Sequence, residues 1–131
     1  MYLTSDLHLT AKTDSAATLH ATVNYRDINH RTGQESKSSK LTTVSSTEIA
    51  IAAGPDAGVT RIIDDISIQE AGNAAELVAI SISTLAAGTY TPTSRIFKAN
   101  LAAYENLNYT EKSGFAVNSS AGAQSRQVAA D

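Results

Sequence analysis

Residues 59–84 place the strongest constraint on the fold, because they carry two rows of apolar side chains with a period of two. The first row is made of isoleucines and the second of β-branched residues: Ile62, Ile66 and Ile68, then Val78, Ile80 and Ile82. Such alternation is typical of a half-buried strand. Between the rows, residues 70–76 are small and polar, and Gly72 and Asn73 among them tolerate the positive φ of a turn. The segment predicts two strands paired as a hairpin.

The first row is irregular at its centre. Asp64 interrupts it, and Ile63 lies on the opposite parity from Ile62. A β-bulge inserts one extra residue into a strand and shifts the parity of everything beyond it. A bulge near Asp64 and Asp65 would bring the apolar residues on both sides of it onto one face.

Further strands are predicted where short apolar or alternating runs are bounded by turn residues. The candidates are residues 17–25, 41–44, 48–53, 94–101 and 105–119, the last as a hairpin that turns at 111–114. In that turn Gly114 suits a left-handed conformation. Pro92 bars a central strand position around it, because proline lacks the N–H that a sheet ladder needs.

The fold class follows from these runs. The alanines of residues 71–80 and 120–130 would also suit helices, but Val78 and Ile80 on one parity favour a strand in the first of these segments. Short strands separated by turns predict an all-β fold, an antiparallel β-sandwich or a jelly-roll-like arrangement, with extended N- and C-terminal arms.

The chain is long enough for one core and too short for two. It has 131 residues, so a single domain is expected, which we place at residues 17–119. Residues 1–16 predict an extended N-terminal arm or a weak edge strand, because their apolar residues are sparse. Residues 26–40 contain one apolar residue in fifteen and predict a long exposed loop. Residues 120–131 show no periodic row and predict a C-terminal tail.

Composition excludes several classes of function. The net charge of −3 argues against a nucleic-acid-binding protein, which would show a basic excess. The absence of cysteine excludes disulfides, a thiol nucleophile and a thiolate metal site. No secretory leader pattern or apolar run of membrane-spanning length is present, so we expect no membrane partner and a product that stays where it is made.

Three histidines are the only residues that could offer a neutral imidazole to a metal or a proton. His8, His20 and His30 match no standard spacing of a ligand pair. On the predicted strand His20 faces away from the apolar row. We interpret all three as exposed surface residues and predict neither a metal nor a cofactor.

Four carboxylates lie close together in sequence, namely Asp64, Asp65, Glu70 and Glu76. They could serve as an acid–base pair or a hard-cation site. Adjacent strand residues point to opposite faces, so we favour one solvated aspartate and one paired with Arg61 or a lysine. No nucleophile elbow or phosphate-binding loop is present. We predict no catalytic residues and no enzyme; a turnover abolished by Asp64→Ala would instead indicate a hydrolase.

Four features give the chain a resemblance to small β-structured virion proteins of tailed bacteriophages. The resemblance covers residues 47–122. The features are Ile49 to Ala53 followed by a Pro-Ala-Gly type turn, Arg61 before DISIQEAGNAAELVAISI, Phe97-Lys98-Ala99 leading to Leu101, and Glu105 to Tyr109 with Gly114 to Val117. The chain departs from the usual pattern at Tyr104, where a turn glycine is expected, and at the acidic Asp64-Asp65 pair.

The resemblance implies a non-enzymatic structural role in a virion assembled in the host cytoplasm. The first expectation is a capsid decoration or cement protein that binds and stabilises the phage head, and the second is a head-to-tail or tail accessory subunit. The implied partners are the major capsid protein or other virion proteins.

Two further expectations concern association. The arm at 1–16 and the loop at 26–40 could contact a neighbouring subunit, although the loop could equally be solvated; we expect a homo-oligomer, with a trimer favoured. The competing class is a β-sandwich binding module for a carbohydrate or cell-surface ligand. Only the tyrosines could form its aromatic platform, because the chain has no tryptophan.

Overall fold

The computed structural model describes residues 1–14, 19–70, 75–118 and 124–128; of residues 70 and 124–128 it describes the backbone alone. The described residues contain strands and no helix, and therefore no helix that could cross a membrane. The strands form two antiparallel sheets that pack face to face. The all-β sandwich predicted from the sequence is confirmed.

The strands account for most of the described chain. In chain order they are β1 (Tyr2–Leu3), β2 (His8–Thr13), β3 (Leu19–Asn29), β4 (Glu35–Val44), β5 (Ile49–Ala52), β6 (Val59–Glu70), β7 (Glu76–Ala86), β8 (Thr89–Leu101), β9 (Asn106–Thr110), β10 (Gly114–Asn118) and β11 (Gln124–Val128).

The larger sheet has seven strands and the smaller has four. The order in the larger sheet is β11-β10-β9-β6-β3-β4. Strand β1 also pairs with β6, next to β9, because β1 faces Arg61 and Ile62 while β9 faces residues 65–69. The order in the smaller sheet is β5-β2-β7-β8. We refer to the two as the large sheet and the small sheet.

The core lies between the two sheets. The large sheet contributes Val23 and Ile66, and the small sheet contributes Leu9 and Ile80, all with almost no exposed surface. Aromatic rings join the sheets directly, since Phe97 of β8 stacks on Phe115 of β10 with 4.8 Å between ring centroids. Burial of this apolar surface is the main favourable contribution to folding.

The predicted hairpin of residues 59–84 is wrong. Its two strands exist as β6 and β7, but β6 pairs with β3, β9 and β1, whereas β7 pairs with β2 and β8. Residues 71–74, the centre of the predicted turn, lie outside the described residues. A period of two shows that one face of a strand is buried, and it does not show which strand lies beside it.

The bulge at the centre of β6 is confirmed. The register with β3 shifts so that Asn24 faces Asp65 while Tyr25 faces Ile63, which leaves Asp64 as the extra residue. Both Ile63 and Ile66 are therefore buried in the core. The two aspartates between them lie on the outer face of the large sheet.

The predicted N-terminal arm is wrong over residues 1–14, and the alternative of a weak edge strand does not hold for β2, which is an inner strand. This segment contains β1 and β2, and β2 lies between β5 and β7 in the small sheet. Leu3 and Leu9 are fully buried. The sequence pattern was weak here because Thr10 is buried as well, which removes the contrast between the two faces of the strand. Residues 15–16 lie outside the described residues.

The predicted loop of residues 26–40 is also wrong. Strand β3 continues to Asn29 and β4 begins at Glu35, so the connection between them is short. Side chains of β4 are exposed from Glu35 to Leu41, on both faces of the strand. A strand without a buried face shows no apolar period. Strand β4 is held in place by its backbone hydrogen bonds to β3.

The predicted C-terminal tail is corrected in part. Strand β11 adds an edge to the large sheet by pairing with β10. The remainder of residues 120–131 lies outside the described residues.

The last hairpin is confirmed, with β9 paired to β10 and with Gly114 at φ 70°. Its inward row, Leu107, Tyr109, Phe115 and Val117, is buried. Pro92 lies in β8, which is an edge strand and so tolerates proline.

Candidate functional site

The three histidines lie apart and form no common site. His20 and His30 stand at opposite ends of β3, about 33 Å apart at roughly 3.3 Å per residue, and His8 belongs to the other sheet. His20 and His30 are exposed as predicted. No group of three or more histidines and carboxylates among the described residues could hold a metal ion.

His8 differs from the prediction, because it is half-buried and has a structural role. Its Nδ1 accepts a hydrogen bond from the Gly54 N–H at 2.9 Å. Its ring meets the ring of Tyr90 edge to face, with 5.5 Å between centroids. Gly54 itself packs against the backbone carbonyls of Leu7 and Ser5, where a Cβ would lie 2.6 and 2.8 Å from their oxygens. His8 therefore fixes the connection that follows β5.

The two aspartates of the bulge each have a partner. The Arg26 Nε donates to both carboxylate oxygens of Asp64, at 2.9 and 3.1 Å, and the Asn24 amide donates to Asp65 at 2.7 Å. The hydrogen bond to Asp64 raises the pKa of Arg26. The prediction that one aspartate is solvated and the other paired with Arg61 or a lysine is therefore wrong, because the bulge brings both next to polar side chains of β3.

Arg61 pairs with Asp27 at the end of the sandwich. Its guanidinium binds both oxygens of Asp27, at 2.8 and 3.0 Å, and also donates to the carbonyl of Ala53 at 2.6 Å. It lies over the ring of Tyr25, 4.1 Å from the centroid. The hydrogen bond with Asp27 raises the pKa of Arg61. These contacts join β3, β6 and the connection after β5, which is a structural role.

A concavity on the outer face of the small sheet gathers three cations. We call it the basic trough. It has a volume of about 370 Å³ and is lined by Lys12, Thr13, Asp14, Ser46, Leu77, Ala79, Arg95 and Lys98. The cations come from β2 and β8, the strands on either side of β7.

The strand register explains the shape of the basic trough. Ala79 of β7 faces Lys12 on one side and Lys98 on the other. Two strand spacings separate the lysines, about 9.6 Å between backbones. Since Val78 and Ile80 occupy the core, Ala79 lies on the outer face, where its small side chain forms a floor between two long ones.

The next row along the sheet is polar, with Thr10 and Ser81 buried and Arg95 half-buried. Thr10, Ser81 and Arg95 face one another across the three strands, where a shift of register places Arg95 rather than Ile96 opposite Ser81. Thr10 donates to the Glu48 carboxylate at 2.7 Å, so Glu48 covers this row. Among the described residues, the Ser81 hydroxyl, the second Glu48 oxygen and the Arg95 Nε are buried without a hydrogen-bond partner.

The exposed tyrosines do not form one aromatic platform. The ring of Tyr25 is covered by the Arg61 guanidinium, the ring of Tyr90 contacts the His8 ring, and Tyr109 is buried. Tyr2 lies opposite Ile62 at one end of β6. Tyr104 precedes β9, whose first residue faces Gln69, about 23 Å from Ile62 along β6 at roughly 3.3 Å per residue. A sugar-binding platform built on these rings is not supported by this arrangement.

Sequence analysis missed the residues of the basic trough. Lys12, Arg95 and Lys98 lie far apart in sequence, and only the order β2-β7-β8 brings them together. A strand assignment for residues 8–13 would have been the useful signal.

Comparison of the chain with known protein families, with curated proteins and with solved structures gave no match.

Proposed function

We propose that this protein is a non-enzymatic structural protein of a tailed-phage virion, most simply a decoration or cement protein that binds the outside of the head. The observation that carries the proposal is the resemblance over residues 47–122. The described residues of its four features fall largely on strands of both sheets, namely β5, β6, β7, β8, β9 and β10. They include core residues such as Ile51, Phe97 and Phe115. The partner is the major capsid protein or another virion protein.

The edge strand β4 supports a role in assembly. It is ten residues long, pairs only with β3 among the described strands, and has exposed side chains from Glu35 to Leu41. An unpaired edge offers a row of backbone N–H and C=O groups to another chain. Lys37 and Lys40 disfavour pairing with a neutral or basic edge, so a suitable partner supplies acceptors or carboxylates.

The protein forms a homo-oligomer in this proposal, with a trimer favoured. The arm and the loop first expected to make its contacts are strands, so in this proposal the edge of β4 contacts a different, carboxylate-bearing surface of the next subunit, because a second β4 would carry the same lysines. A trimer suits the local threefold positions of an icosahedral shell.

The function is tested on particles of the encoding phage assembled without this chain. Purified protein is added, the particles are sedimented, and the pellet is examined for the 13.7 kDa band. We expect saturable co-sedimentation and particles that resist heat better. Absence of the band from the pellet at saturating protein would contradict the proposal. Imaging of the decorated particles separates the head surface from a head-to-tail or tail position.

The β4 contact is tested with two neighbouring proline substitutions. Successive residues of a strand point their N–H groups to opposite sides, so one of Ser38→Pro and Ser39→Pro removes an outward N–H and the other removes a bond to β3. We expect the outward substitution to lower the mass measured by light scattering without lowering the unfolding free energy. An unchanged mass in both variants would remove β4 from the interface.

A further inference from the structure

The basic trough concentrates positive charge on an acidic protein. Three of the ten lysines and arginines line it, together with one carboxylate, Asp14. Asp14 accepts a hydrogen bond from the Leu77 N–H at 3.2 Å. Among the described residues, Lys12, Arg95 and Lys98 form no salt bridge. The three cations outnumber the Asp14 carboxylate in the trough and the Glu48 carboxylate over the adjoining row, so the excess positive charge would attract an anionic ligand.

Arg95 gives the basic trough its most specific binding group. Its Nε is buried and lacks a hydrogen-bond partner among the described residues, and burying an unsatisfied donor is costly. A guanidinium offers a planar pair of donors that matches a carboxylate. The two lysines, about 9.6 Å apart at the backbone, add flexible charges on either side of the Ala79 floor.

We propose that the basic trough binds an acidic segment of a partner protein, with two or more closely spaced carboxylates. One carboxylate pairs with Arg95, and a second lies between the two lysines. Strand β8 is an edge strand, which leaves the trough open on that side to an extended segment. This inference does not depend on the proposed function, since any partner with such a segment would bind.

Nucleic acid fits this surface less well. A nucleic-acid footprint is an extended basic stripe on a basic protein, whereas these cations are confined to one concavity of about 370 Å³ on a chain of net charge −3.

The test uses a hexaglutamate peptide as the probe and hexaglutamine as its neutral control. Binding to the full chain is followed by ¹⁵N–¹H correlation spectra at low salt and at about 0.15 M salt. We expect hexaglutamate to shift resonances of residues 12–14, 77–79 and 95–98, with weaker binding at the higher salt because the ions screen the charges. Hexaglutamine should shift none of them. Absence of shifts with hexaglutamate would overturn the proposal.

Matched variants separate the basic trough from general charge. Lys12→Ala/Lys98→Ala removes two exposed lysines of the trough, and Arg31→Ala/Lys112→Ala removes two exposed cations that lie outside both the trough and β4. We expect the first pair to weaken hexaglutamate binding at least tenfold and the second to change it less than twofold. Equal losses would overturn the proposal. Because all four side chains are exposed, each variant should keep the wild-type midpoint of urea unfolding, which is measured alongside.

Two other probes identify the source of the charge. Citrate supplies carboxylates without a peptide. If citrate bound as tightly as hexaglutamate, the ligand of the basic trough would be a free polycarboxylate rather than a segment of a partner protein. A single-stranded oligonucleotide that bound the basic trough more tightly than hexaglutamate would overturn the choice of an acidic protein partner. We expect weaker binding of both.

Discussion

Tyr104 adopts a backbone conformation that glycine adopts more easily. Its φ is 62°, in the left-handed region, within the turn before β9 that is closed by the hydrogen bond from the Glu105 N–H to the Ala102 carbonyl at 3.1 Å. Glycine reaches this region without the steric cost that a Cβ adds, so tyrosine is strained here. A side chain in this region costs about 1–2 kcal/mol.

Replacing Tyr104 should therefore stabilise the protein. We expect Tyr104→Gly to raise the unfolding free energy by about 1 kcal/mol, because the strain is relieved and the lost side chain is mostly exposed. Ala103→Gly is the control, since Ala103 is not in the left-handed region; it should lower the unfolding free energy by about 0.5–1 kcal/mol. Urea unfolding measures both, and destabilisation by Tyr104→Gly would contradict the account.

Tyr109 should make stability depend on pH in alkaline solution. Burial, and to a lesser extent the charge of Glu111, raises the pKa of Tyr109 above the ordinary value of 10.0. The folded state therefore holds this proton more tightly than the unfolded state. The stabilisation is fully present below about pH 10 and is lost as the pH rises through the folded pKa, by at most about 1.4 kcal/mol per unit.

Two phenylalanine variants isolate this effect. The unfolding free energy of Tyr109→Phe should fall less between about pH 8 and pH 10.5 than that of the wild type, as measured by urea unfolding. Tyr104→Phe removes an exposed hydroxyl and should keep the wild-type slope. The same slope in all three proteins would mean that Tyr109 titrates alike in the folded and unfolded states.

At the scale of the element, the bulge of β6 determines which isoleucine enters the core. Ile63 is fully buried, whereas its neighbour Ile62 is only partly buried. We expect Ile63→Ala to lower the unfolding free energy by about 2–5 kcal/mol, because it leaves a cavity in the core, and Ile62→Ala to lower it by clearly less. Urea unfolding of the two variants compares them directly. A larger loss for Ile62→Ala would show that the parity does not change at Asp64.

The strands differ in how far the sequence predicts them. Val23 in β3 and Leu107 in β9 belong to rows with one buried face, and there alternation predicts the strand. Strand β4 has no such face, and its ladder with β3 involves backbone groups that leave no pattern in the sequence. The predicted pairing of β6 with β7 is wrong for a related reason, because alternation identifies the buried face of a strand but not the strand beside it.

At the scale of the whole molecule, the assignment of β6 and β7 to different sheets can be tested by engineered disulfides. Thr22 and Ser67 face each other on β3 and β6. We expect Thr22→Cys/Ser67→Cys to form a disulfide on oxidation, because paired residues of neighbouring strands come within the required distance. The natural chain has no cysteine to interfere. Non-reducing electrophoresis after limited proteolysis, or mass spectrometry, detects the bond.

The control pair distinguishes the sandwich from the hairpin that the sequence predicted. A hairpin of β6 and β7 centred on residue 73 would bring Ser67 next to Ala79. In the sandwich the two residues lie in different sheets and on their outer faces, so Ser67→Cys/Ala79→Cys should remain reduced. A disulfide in the control pair together with none in the first pair would contradict the sandwich and support the hairpin.

The place of β2 between β5 and β7 has a consequence for the order in which a growing chain can fold. As the ribosome releases the protein, the first strands have no neighbours. Strand β1 can pair only after β6 has been made, and β2 needs β5 on one side and β7 on the other. Pairings so distant in sequence close slowly, because a long loop must be ordered before any contact forms. During synthesis, Leu3 and Leu9 therefore remain open to water and to chaperones until most of the chain has emerged.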